Sequence, residues 1–231
     1  MKKTALLRIH TRIHAKSKTA PQLDLHPKLF VTGYNGVDFS NSKELNTLYR
    51  IIKTHLHTTK VSILEVGCGD GRVGCLLYDK FRKRYLGVET NSDSWRLFKE
   101  KRPKANVLLQ SIFDTEGNFD VVFVPYALLV QFDLVTQKKL LVKIASLSTL
   151  LIVDTEFFGN IDLVGTFDAG LGEDIEYSYS AAFPTKRRLK AHAMKYRLRM
   201  KELKYLFAES KDRDEYGKTR KAIHSFVIFS T

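Results

Sequence analysis

Residues 61–74 read VSILEVGCGDGRVG. An apolar run from Val61 to Val66 gives way to glycines at alternate positions, Gly67, Gly69 and Gly71. A second apolar run, YLGVET (85–90), closes on an acid, Glu89. The first run predicts a buried strand, and the glycines predict a tight turn leading into a helix. A side chain at Gly67 or Gly69 would hold a ligand away from the backbone, and glycine also admits positive φ. A carboxylate at the end of the second strand can accept both hydroxyl hydrogens of a ribose. The stretch therefore reads as a nucleoside-binding turn.

Outward from this turn, strand and helix alternate. A helix over 43–56, capped by Ser40 or Ser42, precedes it. Strands are predicted at 61–67, 85–90, 106–112, 119–125 and 149–157, with helices at 72–83, 92–102 and 134–147. The fourth strand, FDVVFVP (119–125), is an unbroken apolar run suited to burial on both faces. The expected class is α/β: an open, mainly parallel Rossmann-like sheet with helices on both faces.

After residue 158 the pattern changes. DIEYSYSAAF (174–183), LKAHAMKYRLRM (189–200), LKYLFAES (203–210) and AIHSFVIFS (222–230) read as successive antiparallel strands, and only 160–170 carries a helical signal. The expected organisation is a flexible basic arm (1–29) and one domain (30–231). That domain divides into a cofactor-binding βα core (60–158) and a region of antiparallel strands with an added β-hairpin (173–231). Residues 1–22 hold six Lys/Arg and no acid. Organelle transit sequences, nucleic-acid arms and plain solvated termini share that pattern.

Composition bounds the partners. The 231 residues are 44% hydrophobic and 27% charged, enough to pack a core. Only Cys68 and Cys75 are present, which argues against a disulfide framework, and a reducing compartment, the cytoplasm, is expected. No Cys/His set has zinc-ligand spacing, and no metal is expected. The longest apolar stretch, VVFVPYALLV (121–130), is too short to span a bilayer. The first 25 residues lack the apolar core of a secretory signal. The net charge of +13 suits a polyanionic partner and is equally compatible with a basic protein that binds none.

Between 186 and 204 lie nine Lys/Arg and one acid, Glu202. Read as a strand, this segment puts Lys195, Arg197 and Arg199 on one face, with Tyr196 and Tyr205 interleaved. Such basic strands suit a phosphate backbone with stacked bases, or an edge guarded by charge.

The dinucleotide fingerprint G-x-G-x-x-G requires a glycine where this chain carries Arg72. The spacing E-x-G-x-G-x-G from Glu65 to Gly71, followed by Glu89 and five βα units over residues 30–157, instead resembles class I S-adenosylmethionine-dependent methyltransferases. The resemblance implies S-adenosyl-L-methionine as cofactor and methyl transfer to a small molecule, an RNA or a protein. It implies that Glu65 lies near the methionine amino group, and that Gly67, Cys68 and Gly69 line the amino acid part and ribose with backbone. Glu89 would hold the ribose hydroxyls, and Thr90 and Asn91 would flank the adenine. Ser111 stands where many relatives carry an adenine-binding acid, with Ile112 beside the ring and Asp114 three residues on. Tyr34 matches an aromatic that closes over the cofactor in some relatives, or is an ordinary loop tyrosine.

The end of the fourth strand, Val124-Pro125-Tyr126-Ala127, lacks the N/D-P-P-Y signature of amino-group methyltransferases, and no K-D-K-E set is found. Tyr126, Asp154 and Glu156 are candidates for the acceptor side, with no catalytic residue assigned, and His192 reads as a strand histidine. In relatives the sheet ends in an antiparallel hairpin whose last strand, here AIHSFVIFS, inserts beside the fifth. An added hairpin covers the acceptor or makes a homodimer. The alternative is a catalytically idle copy of the fold that serves as a nucleic-acid-binding module.

Overall fold

In the computed structural model, which describes residues 43–56, 58, 60–125, 128–157, 163–170, 176–213 and 219–230, strand and helix alternate through the first half. The order is α1 (Lys43–His55), β1 (Ile63–Val66), α2 (Gly74–Phe81), β2 (Tyr85–Glu89), α3 (Ser92–Lys101) and β3 (Val107–Leu109). There follow β4 (Val121–Val124), α4 (Leu134–Ala145) and β5 (Leu150–Phe157). The second half contains β6 (Leu163–Gly170), β7 (Glu176–Phe183), α5 (Lys186–Lys195), β8 (Arg199–Arg213) and β9 (Thr219–Ser230). The basic arm, Tyr34 and both predicted cap serines lie outside the described residues.

Every residue of β1 and β4 is buried, so both strands need cover on both sides. Side chains alternate across the sheet with period two. On one face Ile63, Val121, Phe123, Ile152 and Phe226 pack under α1, α2 and α3. On the other, Leu64, Val122, Val124, Val153 and Val227 pack under α4 and α5. The seven-stranded sheet runs β3-β2-β1-β4-β5-β9-β8. β1 to β5 are parallel, and β9 enters antiparallel between β5 and β8. The order reverses between β1 and β4, where open α/β sheets bind ligands at the strands' carboxyl ends. The expected insertion of AIHSFVIFS beside the fifth strand is found.

Two expectations for the second half are corrected. The helical signal over 160–170 belongs to a strand, β6, which pairs antiparallel with β7 as a separate two-stranded sheet. The added hairpin is therefore β6–β7. The predicted strand over 189–200 is mostly helix. Thr185 caps it, accepting from Arg188 N at 3.1 Å, and Leu189 and Ala193 bury one side at i, i+4 spacing. Alanines at 191 and 193 favour helix over strand. The helix ends in a Schellman motif: Leu198 N donates to Ala193 O and Arg197 N to Met194 O, with Arg197 at φ +57°. His192 is thus a helix residue, and Lys195, Arg197 and Arg199 do not share a strand face.

Register locates the two ends of the sheet. Arg199 pairs with Ser230, which pairs with Leu150, at the amino end of β5. Phe157 pairs with Ile223, while β8 and β9 continue to Arg213 and Thr219, past the end of β5. The β8–β9 hairpin thus overhangs the carboxyl end, where β1 opens into its glycine turn.

Candidate functional site

The turn leaves β1 at Gly67 with three positive φ angles: +65° at Gly67, +55° at Gly69 and +89° at Gly71. Gly67 N and Cys68 N both donate to Val88 O, at 2.8 and 3.1 Å, which ties the turn to β2. A Cβ at Gly67 would lie 2.7 Å from Leu128 Cδ2. One at Gly69 would meet nothing within 4 Å. At the crest of the turn the backbone therefore faces open space. Lys101, at the end of α3, clamps the turn from behind: its Nζ donates to Asp70 Oδ2 at 2.7 Å and to Asp70 O at 2.9 Å.

Glu89 is held by backbone N–H groups of its own chain. Its Oε2 accepts from Gly69 N, and its Oε1 accepts from Thr90 N and Asn91 N, all at 2.8 Å. A carboxylate offers about four lone-pair sites, so three N–H groups leave one, on Oε2. The forked acceptance of two ribose hydroxyls read from the sequence thus needs one of these N–H bonds to give way. Asn91 does a second job as N-cap of α3, accepting from Ser94 N at 2.8 Å. Gln110 N donates to Glu89 O at 2.9 Å, which carries the chain from β3 past the carboxylate into Ser111 and Ile112. Ser111 Oγ caps the short 3-10 turn Ile112–Asp114 by accepting from Phe113 N, and Ile112 is buried beside Val88. Thr90 is exposed.

Glu65 points beneath the turn. It is 1% exposed, and Tyr85 donates its hydroxyl to Oε2 at 2.7 Å. Sequence reading missed Tyr85, but a signal was there. Gly87 sits opposite Glu65 in the β1–β2 register, and a Cβ there would lie 2.7 Å from Tyr85 OH and 2.9 Å from Cys68 Sγ. A glycine inside a strand marks such a close approach. A Cβ at Gly74 would meet the same group, lying 2.5 Å from Glu65 Oε2, Phe98 Cε2 and Tyr85 OH. Burial, and then the neighbouring Glu65, push the Tyr85 phenol well above its usual range. Burial raises the Cys68 thiol likewise, helped by Glu65 and Glu89. Burial takes Cys75 up to about 11. Both shifts disfavour the thiolate, the nucleophilic form.

The turn, Glu89, Thr90, Asn91, Ser111 and Ile112 converge at the carboxyl ends of β1, β2 and β3. The acceptor-side candidates divide differently. Asp154 is fully buried within β5, opposite Phe226. Glu156 pairs by backbone with His224, and Tyr126 lies outside the described residues. The site can therefore seat a nucleoside against bare backbone and one fixed carboxylate.

No protein-family model and no curated protein sequence matches the chain. Solved structures do. The SAM-bound amino pentose methyltransferase CalS10 from Micromonospora echinaspora aligns over 91% of this chain and 99% of its own, at 12% identity and a TM-score of 0.63. The sugar N-methyltransferase KedS8 from Streptoalloteichus sp. aligns over 93% and 98%, at 14% identity and 0.60. An S-adenosylmethionine-dependent methyltransferase from Clostridium acetobutylicum aligns over 86% and 97%, at 14% identity and 0.59. The likeness is one of fold: this chain has the Rossmann-like fold of S-adenosylmethionine-dependent methyltransferases.

Proposed function

We propose that this chain binds S-adenosylmethionine in the glycine turn and transfers its methyl group to an acceptor. The carrying observation is Gly69, whose missing Cβ opens the backbone to free space while its N–H holds Glu89 at 2.8 Å. When bound, the cofactor supplies a methyl group made electrophilic by its sulfonium. The chain's own residues bind and orient. Gly67 to Gly69 offer the amino acid part and ribose their backbone, with open space at Gly69 and the Leu128 side chain beside Gly67. Glu89 offers its remaining lone pair to a ribose hydroxyl, and Ser111 and Ile112 bound the adenine side. Alignment of the acceptor with the methyl group supplies much of the rate in such transfers. The acceptor is a small molecule, an RNA or a protein. Two buried free thiols support a reducing compartment, the cytoplasm. Among the described residues no helix is long and apolar enough to cross a membrane.

A second reading, an idle fold used as a nucleic-acid-binding module, draws on the cations of α5 and β8. Methyl transfer separates the two. The protein is incubated with methyl-labelled cofactor and, in turn, RNA, protein and small-molecule fractions, and the label is followed by mass spectrometry. Label in one fraction supports the enzyme. Label in none, from a protein that binds nucleic acid, supports the module.

A further inference from the structure

The cations of 186–204, which the cofactor site does not use, form a band along one edge of the molecule. Helix α5 starts beside the carboxyl end of β5, where Lys186 Nζ lies 5.3 Å from the centre of the Phe157 ring. It ends near Arg199, whose register partner Ser230 pairs with Leu150 at the opposite end of β5. The helix therefore spans the sheet from its ligand-binding end to its far end. Arg187, Lys190, Met194 and Lys195 are exposed on it, and Arg197, Arg199, Lys201 and Lys204 continue the exposed series into β8. The one acid of the segment, Glu202, is spent: it takes Lys186 Nζ at 2.8 Å and the Ser225 hydroxyl at 2.8 Å.

We infer that this band binds the phosphate backbone of a nucleic acid and leads it from the far end of the sheet toward the acceptor side. The second half of that statement rests on the proposed methyltransferase reading; the binding itself does not. An anionic membrane fits the band less well. The apolar side of α5, Leu189 and Ala193, is already buried in the core, which leaves Met194 alone among its large apolar side chains to meet lipid. Tyr196 is half-buried against the same core, so the exposed groups that the band offers are its cations. Recognition therefore runs through phosphates, with strong salt dependence and little sequence preference.

Arg197 carries the most discriminating test. It occupies the left-handed position of the Schellman motif, which favours glycine. Arg197→Gly should raise the melting temperature and at the same time weaken nucleic-acid binding. A merely structural residue would not give these opposite signs.

The decisive experiment compares two variants of equal net charge. In one, Lys190, Lys195 and Lys201 become Gln; in the other, Lys53, Lys83 and Lys104, exposed elsewhere, become Gln. Anisotropy with labelled single-stranded RNA, single-stranded DNA and duplexes is followed against salt, with anionic phospholipid vesicles as a further arm. The band variant should bind nucleic acid at least about tenfold more weakly. Its slope of log affinity against log salt should be shallower by about 2, at roughly 0.7 per lost phosphate contact on a single strand. The control variant should stay within about twofold of the parent. Equal loss in both variants, no binding by the parent, or vesicle binding in place of nucleic-acid binding would overturn the inference. S-adenosylhomocysteine titration of the same proteins keeps the two proposals apart. Nucleoside binding without nucleic-acid binding removes the band and spares the enzyme; the reverse result removes the enzyme and spares the band.

Discussion

At the glycine turn, binding chemistry comes from side chains that are missing. Along α5 and β8 it comes from side chains that are long and charged. The turn is closely tied down: two N–H groups donate to Val88 O, three more donate to Glu89, and Lys101 bonds Asp70. The band is largely exposed and lies on α5 and the edge strand β8. The first should therefore be sensitive to shape and indifferent to salt, and the second the reverse.

The largest effect should come from filling the open space at the crest of the turn. Gly69→Leu should reduce S-adenosylhomocysteine affinity at least about a hundredfold, roughly 2.7 kcal/mol. Its stability cost should be only the left-handed strain of about 1–2 kcal/mol. Calorimetry and thermal melts read the two separately, and equal affinity would show that the ligand lies elsewhere. Glu89→Ala removes the acceptor for three N–H groups and for the ribose, and should weaken the same titration by about 1–3 kcal/mol. Unchanged affinity would place the ribose away from Glu89.

Gly74→Ala sharpens the contrast within the turn. In an ordinary helix this change gains about 1 kcal/mol. Here the methyl group meets Glu65, Tyr85 and Phe98, so a loss of about 1–3 kcal/mol is expected from denaturant melts. A gain would mean that the packing beneath the turn is loose. On the band, Arg197→Gly should gain up to about 1 kcal/mol, the left-handed strain of about 1–2 kcal/mol less the extra chain entropy that glycine loses on folding.

The smallest effect lies at acid pH. The Thr136 hydroxyl and backbone N–H beside Asp133 hold its carboxyl below the usual range. Its folded value is thus below the unfolded value of about 3.9. The cap's charged contribution is complete above that value and is lost as pH falls through the folded one. Asp133→Asn keeps a capping oxygen and should flatten this part of the stability–pH curve, while leaving nucleoside and nucleic-acid binding near neutrality unchanged.

The same contrast explains what was legible in the sequence. The five parallel strands announced themselves because strands buried on both faces leave unbroken apolar runs, and the turn because Gly67, Gly69 and Gly71 all sit at positive φ, where glycine is favoured. The second half is read from local alternation alone, and there tertiary context decided. Ala191 to Tyr196 alternates like a strand, yet Thr185 as cap and the Leu189–Ala193 pair made it a helix. Leu163 to Phe167 has helical spacing, yet it pairs with β7. At the site, the glycine turn and the acid at the end of β2 could be read, whereas for the Tyr85–Glu65 bond the sequence offers only Gly87 as a mark of close approach, and the partners follow from the register that sets Gly87 opposite Glu65.

The most direct test of the central claim is calorimetric titration of the folded protein with S-adenosylhomocysteine, at low and high salt, with NADH as the control. The account predicts micromolar binding of one equivalent, nearly independent of salt, and no heat with NADH. No heat with S-adenosylhomocysteine, or binding of NADH in its place, would contradict it and reduce the three glycines to architecture.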